Sequence, residues 1–333
     1  MLFYLAPMAE ITHRALRELI DEFGGCDNYF TEMISAAALL AGGPFEKWYI
    51  DTAPDPKKLV FQLVGSDPQV ISRAAALLDR LDCAGIDINM GCSAPLIRKS
   101  GAGAAWMASI EKAGELISVV RPHVRHRLSV KLRIGFKEDF DYLVRFCRNL
   151  EEAGTELITL HPRTVMEKFK RLARWDYVGM LKKELKIPVA GNGDIANAEE
   201  LLKRAEGPCD AVMVGRAAVR QPWIFAQARD LALSPKTSSV PREGIDAEKA
   251  ALSPKTSSVP NPNPNLEETG LKFIELLARY QPPEFHISRV KRFFGFFCEN
   301  LKWGTFLKNQ INREETLSGV EQVWRGYFKE NEA

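Results

Sequence analysis

No two cysteines in this chain are spaced as CxxC. The six thiols, at 26, 83, 92, 147, 209 and 298, are scattered. That scatter excludes a dense disulfide framework and reads as reduced thiols in a cytosolic protein. Uninterrupted apolar stretches long enough to span a bilayer are also missing. The N-terminus enters an apolar strand pattern at once, without a basic leader and cleavage site, so a soluble, cytoplasmic protein is expected. Charge of one sign is not in excess: the net charge is +2, which by itself announces no polyanionic partner. A GxGxxG after the first strand is absent, which counts against an open dinucleotide-binding sheet. Gly101-Ala-Gly-Ala-Ala lacks the Gly-Lys-Ser/Thr ending of a phosphate-binding loop and reads instead as the opening of a tightly packed helix.

Short β-rich runs fill the first two-thirds of the 333 residues. Strands are expected near 2–6, 28–32, 59–64, 86–90, 128–133, 156–160, 187–190 and 211–214. Helical patterns lie between them. One covers 68–81, with Asp67 placed to cap it and Pro68 in its first turn. Eight strands alternating with helices predict an α/β chain folded as a (β/α)8 TIM barrel. The barrel pattern ends near 231. Residues 232–265 are rich in Pro, Ser and Asn and carry the decapeptide Ala-Leu-Ser-Pro-Lys-Thr-Ser-Ser-Val-Pro twice, at 232–241 and 251–260. They read as a linker. Residues 266–333 are again helical, with runs at 267–279 and 286–301, and predict a small all-helical domain. Its acids and bases are equal in number, but Arg289, Lys291 and Arg292 cluster. Such a cluster is either a solvated helix face or a local cationic surface for a macromolecule.

In a parallel barrel, chemistry gathers at the C-terminal ends of the strands. Here each end carries polar or flexible residues: Ala6-Pro7-Met8-Ala9, Glu32, Gln62, Asn89 with Cys92, Lys131 with Arg133, His161-Pro162-Arg163, Gly191-Asn192-Gly193-Asp194, and Gly215-Arg216. Taken alone, Cys92 reads as a small buried hydrophobe rather than a reactive group. Its place just past a buried strand, in a chain whose other strand ends are polar, turns the reading toward chemistry. Lys131 and Arg133 alternate with apolar Val130 and Leu132, so they share the inward face and need an anionic or electron-rich partner. The ends of strands seven and eight read as a phosphate site, with Gly191, Gly193 and Gly215 for close backbone approach and Arg216 for charge. The alternative is an ordinary turn with Asp194 as a cap. His123 and His126 are spaced to share a helical face but lack a third ligand, so no metal site is expected. The other five cysteines read as structural.

The segments Ala6-Pro7-Met8-Ala9-Glu10-Ile11-Thr12, Phe61-Gln62-Leu63-Val64-Gly65, Asn89-Met90-Gly91-Cys92, Val130-Lys131-Leu132-Arg133-Ile134-Gly135, His161-Pro162-Arg163-Thr164, Asn192-Gly193-Asp194-Ile195 and Gly215-Arg216-Ala217 together resemble the tRNA-dihydrouridine synthase family. The resemblance implies an FMN-dependent oxidoreductase that reduces uridine in tRNA, with NADPH as electron donor. It places Pro7, Met8, Ala9, Gln62, Lys131, His161, Asn192, Gly193, Asp194, Gly215 and Arg216 around the flavin. It makes Cys92 the general acid, and it sets Asn89 and Arg133 on the target base. Arg289, Lys291 and Arg292 are expected to meet tRNA. No membrane and no obligate protein partner are implied. Two segments depart from the family pattern: Ser93, not Pro, follows Cys92, and Phe293 follows Arg292 where relatives carry His after a basic residue. Another FMN barrel enzyme acting on a small, dihydroorotate-like molecule, or a tRNA-binding protein without activity, remain the alternatives.

Overall fold

The computed structural model describes residues 1–168, 170–233 and 264–331. Eight parallel strands close into a barrel in sequence order: β1 (Leu2–Leu5), β2 (Asn28–Ser35), β3 (Leu59–Val64), β4 (Gly85–Met90), β5 (Arg127–Arg133), β6 (Leu157–His161), β7 (Val189–Asn192) and β8 (Ala211–Val214), which pairs back onto β1. Alternation along each strand divides the side chains into two layers. Tyr4, Ala6, Phe30, Val60, Leu157, Ala190, Ala211 and Met213 pack together inside the barrel. Phe3, Leu5, Phe61, Ile86, Ile88, Val130, Ile158 and Val212 face outward, under the helices. Each fully buried Val, Leu, Ile, Phe or Met side chain contributes about 1.5–3 kcal/mol. The inner layer fills the bottom of the barrel and leaves the C-terminal rim to polar groups.

The helices start where short-range chemistry sets them. Asp67 accepts hydrogen bonds from the N–H groups of Gln69 (2.8 Å) and Val70 (3.2 Å) and opens helix Pro68–Leu78. Three expectations change: β7 spans Val189–Asn192 where 187–190 was expected, and the other two concern β2 and the histidine pair. Strand β2 runs past Glu32 to Ser35 and carries a bulge between Phe30 and Met33. The bulge is held by Thr31, whose Oγ accepts from the N–H of Gln62 (3.0 Å) and donates to the carbonyl of Glu32 (2.9 Å). His123 and His126 share no helical face. His123 ends a 3-10 turn, and His126 lies beyond it with Nδ1 2.8 Å from Asp79 Oδ1. Among the described residues, no three acidic, His or Cys side chains are grouped to hold a metal ion.

Helix Ile224–Leu233 takes in the first two residues of the expected linker. The duplicated decapeptide otherwise lies outside the described residues. Four helices then follow: Leu266–Tyr280, Pro283–Phe297, Gly304–Ile311 and Leu317–Asn331. Their core is aromatic. Phe273 stacks on Phe293 with ring centroids 3.7 Å apart, and Trp324 packs on Phe294 at 4.6 Å while its Nε1 donates to the carbonyl of Glu267. Gly270 makes that approach possible, since a Cβ there would stand 2.4 Å from the Trp324 ring. The bundle shares its core with helix Arg14–Glu22 of the barrel, where buried His13 meets Phe273. No described helix is long and apolar enough to cross a membrane.

Candidate active site

The C-terminal ends of β1, β4, β5, β6, β7 and β8 surround a pocket lined by Pro7, Met8, Asn89, Cys92, Lys131, Arg133, His161, Asn192, Gly193, Asp194, Gly215 and Arg216. Fourteen of the expected site residues lie on the barrel, and these twelve converge. The other two do not line the pocket. Ala9 is exposed on the turn outside it, and Gln62 is fully buried beneath it. Arg163, to which the sequence pattern assigned no role, lines the pocket too.

One hydrogen-bonded chain runs under the Cys92 loop. Asp87, inside the barrel on β4, accepts from Ser129 Oγ (2.6 Å) and from Gln62 Nε2 (2.7 Å). Gln62 Oε1 accepts from Asn89 Nδ2 (2.8 Å). Asn89 Oδ1 in turn accepts from the N–H groups of Cys92 (2.9 Å) and Gly91 (3.2 Å). Burial pushes the Asp87 carboxyl up to about 6, against the pull of Ser129 and Gln62. Gly103 lets the chain pack close behind the thiol. Its φ is +60°, and a Cβ there would meet the Cys92 carbonyl oxygen at 2.8 Å.

Facing this loop is a crowd of cations. Lys131 donates to Asn192 Oδ1 (2.9 Å), and Asn192 Nδ2 donates to the Met213 carbonyl (2.8 Å). Burial, reinforced by Arg133, lowers Lys131 to about 8, and Asp87 only partly offsets this. Burial and then Arg163 lower Arg133 to about 10. Arg133 ties the loops after β4 and β6 together through the carbonyls of Gly91 (3.0 Å), Thr164 (3.1 Å) and Lys168 (3.2 Å). Arg163 holds both carboxylate oxygens of Asp194 at 2.7 Å, and the N–H of Ala173 adds a further bond to Asp194. His161 is driven well below its ordinary range by burial and by Lys131, Arg133, Arg163 and Arg216 around it. It is therefore a neutral imidazole. Its Nε2 sits 3.0 Å from Arg163, a donor only, so Nε2 accepts and Nδ1 carries the proton. Gly193, at φ +125°, cannot be replaced without strain, because a Cβ would press on the His161 ring at 3.0 Å.

The arginines of helix Pro283–Phe297 need correction. Arg289 is no part of a solvated cationic face. Its side chain is 2% exposed and pairs at 3.1 Å with Glu32, itself 3% exposed. Arg289 also bonds Gln281 and lies 4.5 Å from the Phe285 ring centroid. A desolvated guanidinium needs such a partner, and the β2 bulge supplies it. Arg292 is half-exposed and pairs with Glu10, while Lys291 is half-buried. Glu10 sits in the left-handed region at φ +59° on the turn after Pro7-Met8, and its N–H donates to Glu32 Oε1. The helical bundle thus braces a loop of the site. The alternation in Ile86-Asp87-Ile88-Asn89 and the two-residue step from His161 to Arg163 were the available signals for Asp87 and Arg163. No local signal marked Glu32 as the partner of Arg289.

A family model described as dihydrouridine synthase (Dus) matches residues 4–256. The chain belongs to the dihydrouridine synthase family. It is 34% identical over 233 residues to the probable tRNA-dihydrouridine synthase of Aquifex aeolicus (strain VF5), covering 68% of this chain and 72% of that protein. It is 32% identical to the probable tRNA-dihydrouridine synthase of Rickettsia prowazekii (strain Madrid E), covering 67% and 68%. It is 29% identical to the tRNA-dihydrouridine(16) synthase of Ralstonia nicotianae (strain ATCC BAA-1114 / GMI1000), covering 71% and 76%.

Proposed function

We propose that this family member is an FMN-dependent tRNA-dihydrouridine synthase that takes its electrons from NADPH. The observation that carries the reading is the charge of the pocket. Lys131, Arg133, Arg163 and Arg216 line it, and Asp194 is the one carboxylate among the lining residues. Asp194 is engaged by Arg163, so the lining holds more cations than carboxylates and suits an anion. FMN fits that demand. Arg216 and the glycines at 193 and 215 would take the phosphate end, with Lys131, Asn192 and neutral His161 around the ring. When bound and reduced, FMN supplies a hydride for carbon 6 of uracil.

The protein's part is position and proton. Cys92 delivers the proton to carbon 5, so that the hydride and the proton together saturate the C5–C6 bond. Asn89, which lines the pocket, would meet the base. The uridine leaves the tRNA fold to enter the pocket. Residues 1–231 serve as the flavin-binding domain and 266–333 as the helical domain that shares in holding tRNA. With Arg289 buried, Lys291 and Arg292 remain candidates for phosphate, together with the rim of the barrel. There, Lys99, Lys168, Lys170 and Arg171 are exposed beside the pocket, and residues 164–174 hold four cations to one carboxylate.

The test is to purify the protein, record its flavin spectrum, and assay dihydrouridine in tRNA that lacks the modification. The expected result is a yellow protein with one FMN per chain that forms dihydrouridine with NADPH. A colourless protein that cannot be reconstituted with FMN overturns the reading.

A further inference from the structure

Asp87 is a buried carboxylate that the proposed chemistry does not use. Lining no part of the pocket, it does not touch the reacting atoms. It is nevertheless the lowest member of the chain that ends at the Cys92 amide. The chain has a direction, and that direction is not intrinsic to its middle members. Gln62 and Asn89 each carry a donor end and an acceptor end, and an amide flipped by half a turn fits the same space. An ionised carboxylate only accepts. Asp87 therefore turns Gln62 Nε2 toward itself, which leaves Gln62 Oε1 facing Asn89. Asn89 must then present Nδ2 downward and Oδ1 upward, to the N–H groups of Cys92 and Gly91. Were the chain reversed, Asn89 would aim N–H at N–H and release the loop.

We propose that Asp87 is the positioning residue of this site: by accepting from Gln62 it sets the direction of the Gln62–Asn89 chain and so holds the Cys92 thiol in register with the pocket. Ser129 closes the base of the chain by occupying the other carboxylate oxygen. The role of the thiol rests on the function proposed above, but the geometry of the chain does not, so the two are tested separately.

Three variants decide it: Asp87→Leu, Asp87→Asn, and the double variant Asp87→Asn/Gln62→Glu. Asp87→Leu removes the acceptor. Asp87→Asn keeps one, because the new amide can turn its carbonyl to Gln62 and its N–H to the Ser129 hydroxyl. The double variant moves the carboxylate one place up the chain, where it still accepts from Asn89. Each holoenzyme is treated with iodoacetamide, and alkylation of Cys92 is followed by peptide mass. In Asp87→Leu the Cys92 rate should rise about tenfold as the loop loosens, and reoxidation of the flavin by tRNA should slow by about tenfold or more. Flavin reduction by NADPH and tRNA affinity should stay within about threefold, whereas general destabilisation would move all of them. Asp87→Asn and the double variant should alkylate at the wild-type rate. If Asp87→Leu does not fold, those two variants decide, since loosening of Cys92 in both shows that charge at 87, not the direction of the chain, is what matters. Equal alkylation of Cys92 in wild type and folded Asp87→Leu overturns the proposal, whatever the tRNA assay gives. A wild-type protein that makes no dihydrouridine overturns the proposed function and leaves the alkylation comparison standing.

Discussion

At the scale of single residues, the thiol at the pocket differs from four of the other cysteines in its exposure. Cys92 is half-buried at the pocket, whereas Cys26, Cys83, Cys147 and Cys298 are buried, and burial raises all four thiols. Cys92→Ala should bind FMN and accept electrons from NADPH normally, yet reduce tRNA about 10²–10⁴-fold more slowly, as expected for loss of a general acid. Cys92→Ser should also be slow, since a hydroxyl is a much weaker acid. Timing the NADPH and tRNA half-reactions separately checks this, and a defect confined to the NADPH step would make Cys92 structural. Asp87 carries a second prediction, on stability. Its folded-state pKa is raised to about 6, so the native state holds a proton that the unfolded chain has already lost. The stability this contributes is present below the unfolded pKa of about 3.9 and is lost as pH rises through about 6. Wild type should therefore lose stability relative to Asp87→Asn between about pH 4 and pH 6 and run parallel to it above that window. Urea denaturation at a series of pH values reads the difference.

At the scale of elements, the bundle and the barrel meet through a buried ion pair. Helix Pro283–Phe297 brings Arg289 to Glu32 on the β2 bulge, and Glu32 also receives the N–H of Glu10 from the turn that carries Pro7 and Met8. Burial raises the Glu32 carboxyl, and Arg289 is the largest of the influences that oppose the rise. Removing one member of such a pair strands the other charge. Arg289→Ala should cost about 3–5 kcal/mol in chemical denaturation, whereas a pair at the surface is worth about 1 kcal/mol or less. The same variant should weaken FMN retention, because the turn after β1 loses its brace. An Arg289→Ala protein as stable as wild type would show that the pair is dispensable. The sequence pattern placed a helical run at 286–301 where the helix spans Pro283–Phe297, and its aromatic run packs as an interior face. It did not distinguish Arg289 from its neighbours, because three cations in four residues look alike until the helix is docked.

At the scale of the whole molecule, two groups of exposed or half-buried cations are candidates to meet a polyanion. Lys99, Lys168, Lys170 and Arg171 stand on the barrel loops, and Lys291 and Arg292 on the bundle. Reversing Lys168, Lys170 and Arg171 together should weaken tRNA binding and flatten its dependence on salt. The log–log slope should fall by about two to three units, at about 0.7–0.9 for each phosphate no longer neutralised. Flavin reduction by NADPH should be unaffected. Reversing Lys291 and Arg292 should give a smaller change, because two cations are removed and not three, and one of them, Arg292, is engaged by Glu10 as Arg171 is by Glu167. Filter binding across a salt series compares the two sets. Equal slopes for wild type and the rim variant would move the footprint off these loops.

Alternation and spacing along the chain indicated eight strands in barrel order, although β2 and β7 both run further than expected. They placed Lys131 and Arg133 inward and Cys92 on the rim, because period two and a strand's end are local properties that neighbouring residues encode. Only the closed barrel decided what those groups meet. Gln62 lies under the pocket and not in it, Arg163 commits Asp194, and Arg289 belongs to Glu32. Each of these pairings joins elements distant in the chain. The free energy that selects them, the cost of leaving a charge or an amide unpaired in the interior, does not exist until those elements have docked and expelled water.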